Sequence, residues 1–199
     1  AWSSGHPVPV SLLHAGRGHR GLGRAKVACI RHGQGDDAAA SEARELVATA
    51  IEQCSLAWPV VVLVGGAPGT GKTTVADGLG AAMGAVVLHS DEVRKELGGL
   101  GRADDGRAAP GAGIYDVAHT AATYAELWRR AAALAAAGEP VVLDASWTER
   151  RRRDELRAAA RDAAVRLVEL CCDAPPSMAE ARVTARRSTG GDASDATPE

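Results

Sequence analysis

The sequence predicts an α/β fold in which a parallel sheet carries helices on both faces. The run Pro59-Val-Val-Val-Leu-Val64 is continuously apolar, which is typical of a parallel strand covered on both sides. A glycine-rich turn follows it, and strand patterns then alternate with helical patterns over about 130 residues. Parallel strands need crossovers of this kind between them, so the alternation indicates βαβ units.

The composition is that of an ordinary globular protein: 46% of the 199 residues are apolar, 24% are charged and the net charge is −2. This charge gives no overall field that would attract nucleic acid or an anionic membrane. No apolar run reaches the roughly 18 to 20 residues that span a bilayer, and the N-terminus lacks the order of a secretory signal. We therefore expect a cytoplasmic location and no membrane partner.

The first 57 residues are predicted to form a loose segment followed by one helix. Residues 1–35 hold seven glycines, five basic residues and no acidic residue, without a sustained helical or strand period. Apolar residues then recur at helical spacing up to Cys54, with Asp37 or Ser41 available as the N-cap. We expect this helix to end before Pro59.

The rest of the chain alternates between the two kinds of pattern. Further strands are predicted at residues 85–88, 141–143 and 165–171. The predicted helices cover residues 71–83, 92–97, 116–137, 149–164 and 177–187, and residues 98–114 are predicted to be a loop. In open sheets of this kind, ligands bind beyond the carboxyl ends of the strands. The residues that follow each strand are therefore the candidate site.

Residues 66–73, Gly-Ala-Pro-Gly-Thr-Gly-Lys-Thr, match the phosphate-binding pattern GxxxxGK[ST] directly after the first strand. Its glycines let backbone N–H groups surround an anion, its lysine reaches the β- and γ-phosphates, and its final hydroxyl ligates magnesium. We therefore expect ATP and Mg²⁺ as cofactors, with Lys72 also catalytic and Thr73 also a metal ligand. The predicted cofactor-binding residues are Gly66, Ala67, Pro68, Gly69, Thr70, Gly71, Lys72, Thr73 and Thr74.

An aspartate follows the second strand. Asp91 would face the γ-phosphate there and could orient the hydroxyl of an acceptor. Arg94 lies one helical turn later and could hold a negative charge of that acceptor. We predict catalytic roles for both; the alternative is that Ser90 or Asp91 only caps the helix that begins at Glu92.

A second aspartate, Asp144, ends the third strand. An aspartate after an apolar strand can bind magnesium directly or through water, and we predict this role for Asp144. The alternative is a simple loop aspartate. Ala145 follows it, where molecular-motor ATPases usually have a glutamate that polarises water. This argues against a hydrolytic motor and favours transfer of the phosphoryl group to another acceptor.

Arginines are predicted to complete the site. The run at 150–153 begins a helix, where positive charge opposes the macrodipole. We expect most of this run to be solvated, although one or two of its arginines, such as Arg153, could face the acceptor pocket. Arg182, Arg186 and Arg187 follow the fourth strand, where a closing lid would bring guanidinium groups onto the transferring phosphoryl. Of these three we expect Arg186 or Arg187 to act in catalysis.

Together these residues resemble the P-loop kinases labelled the AAA-33 or zeta-toxin-like ATP-binding domain, a group related to polynucleotide kinase, chloramphenicol phosphotransferase and gluconate kinase. The resemblance covers residues 58–199. It lies in GGAPGTGKTT at 65–74, SDEVRKEL at 90–97, the helix with Tyr115 and Tyr124, VVLDASW at 141–147 and the ending DASDATPE. It implies that the fold is that of a P-loop NTPase, that Asp91 is the general base and that Arg94 binds the acceptor.

The resemblance also implies how the chain is organised. The sheets of this group have a fifth strand after the lid arginines, so we expect residues 58–199 to be a P-loop kinase-like ATP-binding domain that lacks its last strand. Several bacterial members carry an upstream domain similar to aminoglycoside phosphotransferases. The stretch RAKVACIRHGQGD and the helix after it resemble the tail of that domain. Residues 1–57 are therefore expected to be a remnant of an upstream fusion partner.

These inferences predict an ATP- and Mg²⁺-dependent phosphotransferase that moves the γ-phosphoryl group to a hydroxyl of a small-molecule acceptor. A polynucleotide acceptor is less favoured, because the chain has only two tyrosines and no basic groove with interleaved aromatic residues. One alternative is a non-catalytic ATP-binding module that regulates an attached domain. Another is a truncated product that binds nothing.

Overall fold

The computed structural model describes residues 8–101 and 113–189, with side chains up to residue 185 in the last helix. The chain divides into two compact units. The first comprises Ala1–Pro59 with Ala137–Glu139, and the second comprises Val60–Ala136 with Pro140–Glu199. The predicted division at residues 57 and 58 lies close to this boundary, and the origin of the first unit as a remnant of another domain stays a prediction.

The first unit is a helical hairpin. Helix α1 runs from Val10 to Gly33 and helix α2 from Ala39 to Leu56. The two helices are antiparallel: a Cβ placed on Gly18 would meet Cys54, and one placed on Gly21 would meet Ala50. The hairpin is therefore held by close contact between small residues.

The prediction of a loose segment at residues 1–35 is wrong for the part of it that the structure describes, because α1 occupies most of that part. The buried residues of α1 are Gly18, Ala25 and Ala28, and Gly21 also packs against α2. The intervals between these four positions are three, four and three residues, which place them on one face of a helix. The apolar pattern was missed because this face is built from residues without large side chains.

The second unit contains four parallel strands in the order β2-β3-β1-β4 among its described residues. Strand β1 is Val60–Gly65, β2 is Val86–His89, β3 is Val141–Asp144 and β4 is Arg166–Cys171. All three neighbouring pairs are parallel. The predicted parallel α/β sheet is confirmed, and each predicted strand lies within one residue of its observed position.

Helices cover both faces of this sheet, as predicted. The helices of the second unit are α3 (Lys72–Met83), α4 (Ser90–Leu97), α5 (Val117–Ala136), α6 (Arg150–Asp162) and α7 (Pro176–Thr189), with a 3₁₀ turn at Gly113–Tyr115. On one face, Val61 and Leu63 pack with residues of α4, α5 and α6. On the other face, Val62 and Val64 pack against α3. The alternation along β1 explains why its sequence is apolar at every position.

Candidate functional site

The phosphate loop, residues 66–73, connects the end of β1 to the start of α3. Gly66, Gly69 and Gly71 have φ values of +142°, +80° and +93°. A Cβ on Gly66 would lie 2.2 Å from the carbonyl oxygen of Cys172, and one on Gly69 would lie 2.3 Å from that of Ala179. Both contacts are to backbone atoms, so these positions require glycine for conformation and for space.

Lys72 is the first residue of α3 and reaches back across the loop. Its Nζ donates a hydrogen bond to the carbonyl oxygen of Ala67 at 2.9 Å. The hydroxyl of Thr70 donates to the same oxygen at 2.8 Å. The ammonium group and the positive end of the α3 dipole therefore lie on the same loop, an arrangement that attracts a phosphate.

Thr73 and Asp144 meet at the carboxyl edge of the sheet. The hydroxyl of Thr73 donates to Oδ2 of Asp144 at 2.8 Å, and the Asp144 side chain is 8% exposed. Hydroxyl and carboxylate oxygens are the hard ligands that Mg²⁺ takes. Neighbouring oxygens in a magnesium octahedron are about 2.9 Å apart when each bond is about 2.1 Å, so this pair of oxygens fits the ion.

The described residues contain no group of three His, Cys, Asp or Glu side chains that could hold a metal by themselves. This agrees with the way Mg²⁺ is bound in nucleotide sites, where one or two protein oxygens act together with substrate phosphates and water. Thr73 and Asp144 are the residues that would hold such an ion here.

His89 also contacts Asp144, and the sequence reasoning missed it. In the register of the parallel strands, His89 of β2 lies directly beside Asp144 of β3. Its Nδ1 lies 3.0 Å from Oδ2 of Asp144, and its Nε2 lies 3.3 Å from Oδ1 of Asp77 on α3. The hydrogen bond to Asp144 raises the pKa of His89 against the opposing effect of burial. The rule that selected Asp91 and Asp144, position at a strand end, also applies to His89.

Asp91 is the second residue of α4, directly beyond the end of β2. The N-cap position of this helix is His89, and its side chain makes no capping hydrogen bond. Asp91 is half-buried, and as an acid in the first turn it is favourably placed in the helix dipole. Its role as general base stays a prediction.

Arg94 is 7% exposed and is held by the segment that leads into α5. Its Nη1 donates to the carbonyl oxygen of Ile114 at 3.0 Å and to the hydroxyl of Thr120 at 2.9 Å. Its guanidinium lies 4.9 Å from the centre of the Tyr115 ring. Arg94 therefore anchors this segment, and its predicted contact with the acceptor remains untested.

Among the arginines after β4, the structure places Arg182 beside the phosphate loop. Its Nη1 donates to the carbonyl oxygen of Gly69 at 3.4 Å. The side chains of Arg186 and Arg187, the predicted lid arginines, lie outside the described residues, and their role stays a prediction. In the arginine run at residues 150–153, Arg153 donates to the carbonyl oxygens of Trp147 and Thr148.

Cys172 directly follows β4 and lies beside Gly66 of the phosphate loop. Its N–H donates to the carbonyl oxygen of Gly65 at 2.7 Å, which extends the β1–β4 ladder up to the glycines. Burial raises the pKa of the Cys172 thiol, although the nearby Lys72 opposes this. The thiol is therefore kept neutral beside a loop suited to phosphate.

A protein-family model described as an AAA domain, AAA-33, matches residues 61–199, well over half of the chain. The chain belongs to the AAA-33 family. Uncharacterized proteins of Mycobacterium tuberculosis and Mycobacterium bovis are 36% identical to it over 196 residues, which is 98% of this chain and 39% of theirs. The chain thus spans about two fifths of the length of these relatives.

Solved structures similar to this AAA-33 chain have the P-loop kinase fold. The Mycobacterium tuberculosis APS kinase in complex with AMPPNP and APS is 25% identical, with a TM-score of 0.50 over 66% of this chain and 75% of that one. A protein classed as a kinase from Chloroflexus aurantiacus is 20% identical, with a TM-score of 0.53 over 67% of this chain and 69% of that one. The predicted resemblance to P-loop kinases and the predicted fold class are confirmed. Among the described helices of this AAA-33 chain, none combines the length and the apolar character that a membrane span needs.

Proposed function

We propose that this chain is an ATP- and Mg²⁺-dependent phosphotransferase that moves the γ-phosphoryl group of ATP to a hydroxyl of a small-molecule acceptor. The contact between Thr73 and Asp144 carries the proposal. It joins the last residue of the phosphate loop to the carboxylate at the end of the neighbouring strand at 2.8 Å. It brings a hydroxyl and a carboxylate oxygen together beside the loop, and these are ligands that Mg²⁺ takes when it binds with a nucleotide.

The phosphate loop would bind the nucleotide. The N–H groups between Gly66 and Thr73 would surround the β-phosphate, and Lys72 would leave the Ala67 carbonyl to contact the β- and γ-phosphates. Bound Mg²⁺ would neutralise phosphate charge that builds up during transfer. Thr73 and Asp144 would hold this ion in the position that the transfer requires.

The acceptor hydroxyl would be oriented by Asp91. The carboxylate follows β2 at the same edge of the sheet as the phosphate loop, because the carboxyl ends of parallel strands lie together. It would accept the proton of the hydroxyl as the new oxygen–phosphorus bond forms and the bond between the γ-phosphorus and the β–γ bridging oxygen breaks, which releases ADP. Ala145, which follows Asp144, offers no carboxylate to activate water, so transfer to an alcohol is favoured over hydrolysis.

Arg182 would contribute positive charge from α7. Its contact with the carbonyl oxygen of Gly69 places it beside the loop that would bind the phosphates. A guanidinium in that place would stabilise charge on the transferring phosphoryl group. Arg186 and Arg187, further along the same helix, stay candidates for the same role.

Calorimetric titration with Mg·ATP tests the nucleotide site. We expect Lys72→Ala to weaken binding by about 100-fold, or about 2.7 kcal/mol, because it removes the cation that faces the phosphates. Lys26→Ala is the matched control, since Lys26 is an exposed lysine of α1 and should bind Mg·ATP like the wild type. Wild-type protein that is folded and does not bind Mg·ATP would exclude the proposal.

Phosphoryl transfer to a panel of sugars, hydroxy acids and 5′-hydroxyl oligonucleotides tests the reaction. Asp91→Asn should abolish transfer while Mg·ATP affinity stays near that of the wild type, because Asp91 is assigned to the acceptor. Asp162→Asn, an exposed change near the end of α6, should leave both properties unchanged. Transfer that persists in Asp91→Asn would rule out Asp91 as the general base. If the wild type phosphorylates the oligonucleotide better than the small molecules, the acceptor is a polynucleotide and not a small molecule.

A further inference from the structure

Each of the two tyrosines in the chain carries an arginine on its ring. Arg94 lies over Tyr115, and Arg152 lies over Tyr124 at 4.7 Å from the ring centre. Arg94 was itself predicted to bind the acceptor. Arg152 belongs to the run at 150–153, of which most members were predicted to be solvated and one or two to face the acceptor, and it has no role in the phosphotransferase described above.

Arg152 is unlike the arginines beside it on α6. Its side chain is 16% exposed, whereas those of Arg150 and Arg151 are 85% and 87% exposed. Arg150 and Arg151 pair with acids one turn along the same helix, Asp154 and Glu155. The guanidinium of Arg152 instead turns inward onto the aromatic face.

The charge of Arg152 is incompletely matched. Its Nε is buried and has no hydrogen-bond partner among the described residues. An oxygen of Glu149 lies 3.0 Å from Nε, but off the direction of the N–H bond, and the Glu149 side chain is 59% exposed. An exposed carboxylate is a weak partner, and a buried N–H that makes no hydrogen bond is costly. The site therefore favours a further acceptor of hydrogen bonds with negative charge.

The surroundings of Arg152 also favour an anion. Helix α6 begins at Arg150, so its positive dipole end lies within one turn of Arg152. The neighbouring Arg151 and Arg153 add to the local positive potential. An arginine presents its N–H groups in a fork that matches carboxylate, sulfate and phosphate oxygens.

A short chain of contacts connects this arginine to the phosphate loop. The guanidinium lies over the ring of Tyr124, and the hydroxyl of this tyrosine lies 3.0 Å from Oγ of Ser146. The carbonyl oxygen of Ser146 accepts a hydrogen bond from the N–H of Gly66 at 3.0 Å. Ser146 therefore lies next to the first residue of the loop, and Tyr124 and Arg152 follow it in a line along which an acceptor of the phosphoryl group could bind.

We infer that Arg152, Tyr124 and Ser146 form an acceptor subsite that binds an anionic group of the phosphoryl acceptor. Arg152 contacts the anion, and the hydroxyls of Tyr124 and Ser146 bind its oxygens or those of an adjacent hydroxyl. The acceptor is then a small molecule that carries a carboxylate, sulfate or phosphate beside its reactive hydroxyl. This inference rests on the proposed phosphotransferase function, and it adds the substrate class.

Inorganic sulfate is the probe for the subsite. Arginine Nε–H signals are followed by ¹⁵N–¹H NMR as sodium sulfate is added, with sodium chloride of equal ionic strength as reference. The Arg152 signal is the one that disappears in Arg152→Gln. We expect it to shift in a saturable way in the wild type and in Arg151→Gln, since both keep the Arg152 fork.

The same titration in Lys72→Ala separates this inference from the proposed function. That variant disables the phosphate loop, so sulfate bound there cannot account for the shift, and the outcome does not depend on nucleotide binding. An unchanged sulfate affinity at Arg152 in Lys72→Ala supports the subsite. An Arg152 signal that does not move beyond the chloride reference, or a midpoint that depends on Lys72, overturns it.

A matched pair of acceptors tests the substrate class in the transfer assay. Gluconate and sorbitol are both open-chain polyols and differ only in a carboxylate that replaces a hydroxymethyl group. Arg152→Gln should raise the KM for an anionic acceptor such as gluconate by about tenfold with little change in kcat, and should leave the KM for a neutral one unchanged. Equal effects on the two acceptors would assign Arg152 to packing and not to recognition.

Discussion

Glycine recurs in two regions of this molecule, the phosphate loop and helix α1, for different physical reasons. In the loop, Gly66 and Gly69 have positive φ, and a side chain at either would collide with backbone carbonyls. In α1, Gly18 and Gly21 are helical, and the lack of a side chain lets α2 approach. The loop glycines are therefore needed for the backbone conformation of the loop and the space around it, and the α1 glycines for the short distance between two packed helices.

The difference shows why one region was predicted and the other was not. The loop glycines stand at fixed distances from Lys72 and Thr73, and this pattern has a single chemical interpretation after a buried strand. The glycines of α1 have no such companions. Their spacing of three or four residues becomes meaningful only when Ala25 and Ala28 are counted as apolar positions of the same face.

Gly66→Ala should have the largest effect. The new Cβ would lie 2.2 Å from the Cys172 carbonyl oxygen, at a φ of +142°, so the loop has to move away from β4. We expect Mg·ATP affinity to fall by at least about 100-fold, because the N–H groups no longer converge on the phosphate. Calorimetric titration measures this directly.

Gly78→Ala is the control for that change. Gly78 lies in α3, just after the loop, and a Cβ there would meet no described atom within 4 Å. Its Mg·ATP affinity should equal that of the wild type. Equal losses in the two variants would mean that the effect of Gly66→Ala reflects general destabilisation and not the geometry of the loop.

Gly18→Ala is expected to have an intermediate effect, on stability alone. Its Cβ would lie 2.7 Å from Sγ of Cys54 and 3.3 Å from the carbonyl oxygen of Ala50. Forcing the helices apart costs about 1 to 3 kcal/mol, while alanine regains up to about 1 kcal/mol of helix propensity. We expect a net loss of about 1 kcal/mol in the free energy of unfolding, measured by urea denaturation.

The sulfur of Cys54 accounts for most of that clash, and a double-mutant cycle tests this. Cys54→Ala in the Gly18→Ala background should recover about 1 kcal/mol relative to the two single changes added together. Additive single effects would show that the two side chains do not meet, and hence that α1 and α2 do not pack in the described register.

The sequence predicted the four strands and the parallel direction of the sheet, but not the order β2-β3-β1-β4. The position of each strand can be predicted from a local apolar run, such as that at residues 60–65, because such a run is visible in the sequence itself. Strand order depends on which crossover packs on which face. That choice is settled by contacts between residues far apart in sequence, such as Val61 with Val141.

The same distinction applies to the candidate site. Thr73 and Asp144 were predicted individually, and their contact follows from the strand-end rule once β1 and β3 are neighbours. Arg152 could not be selected from its run of four arginines, because its burial depends on the position of Tyr124 on another helix. Local sequence shows which residues can carry chemistry, and tertiary packing shows which of them lie together.

Gly16→Ala gives the smallest effect and the sharpest test of the hairpin. Gly16 lies in α1, is exposed, and its Cβ would meet no described atom within 4 Å. If residues 10–33 are helical, alanine should stabilise the protein by about 0.5 to 1 kcal/mol, because it loses less backbone entropy than glycine. The midpoint of thermal unfolding, followed by circular dichroism, should then rise by about 1 to 4 °C. Gly23→Ala, equally unobstructed in the same helix, should raise the midpoint by the same amount.

The opposite outcome would follow if this segment were the loose stretch that its composition predicts. Neither alanine would then gain helix propensity, and both midpoints should stay at the wild-type value. Gly18→Ala should then also leave the free energy of unfolding unchanged.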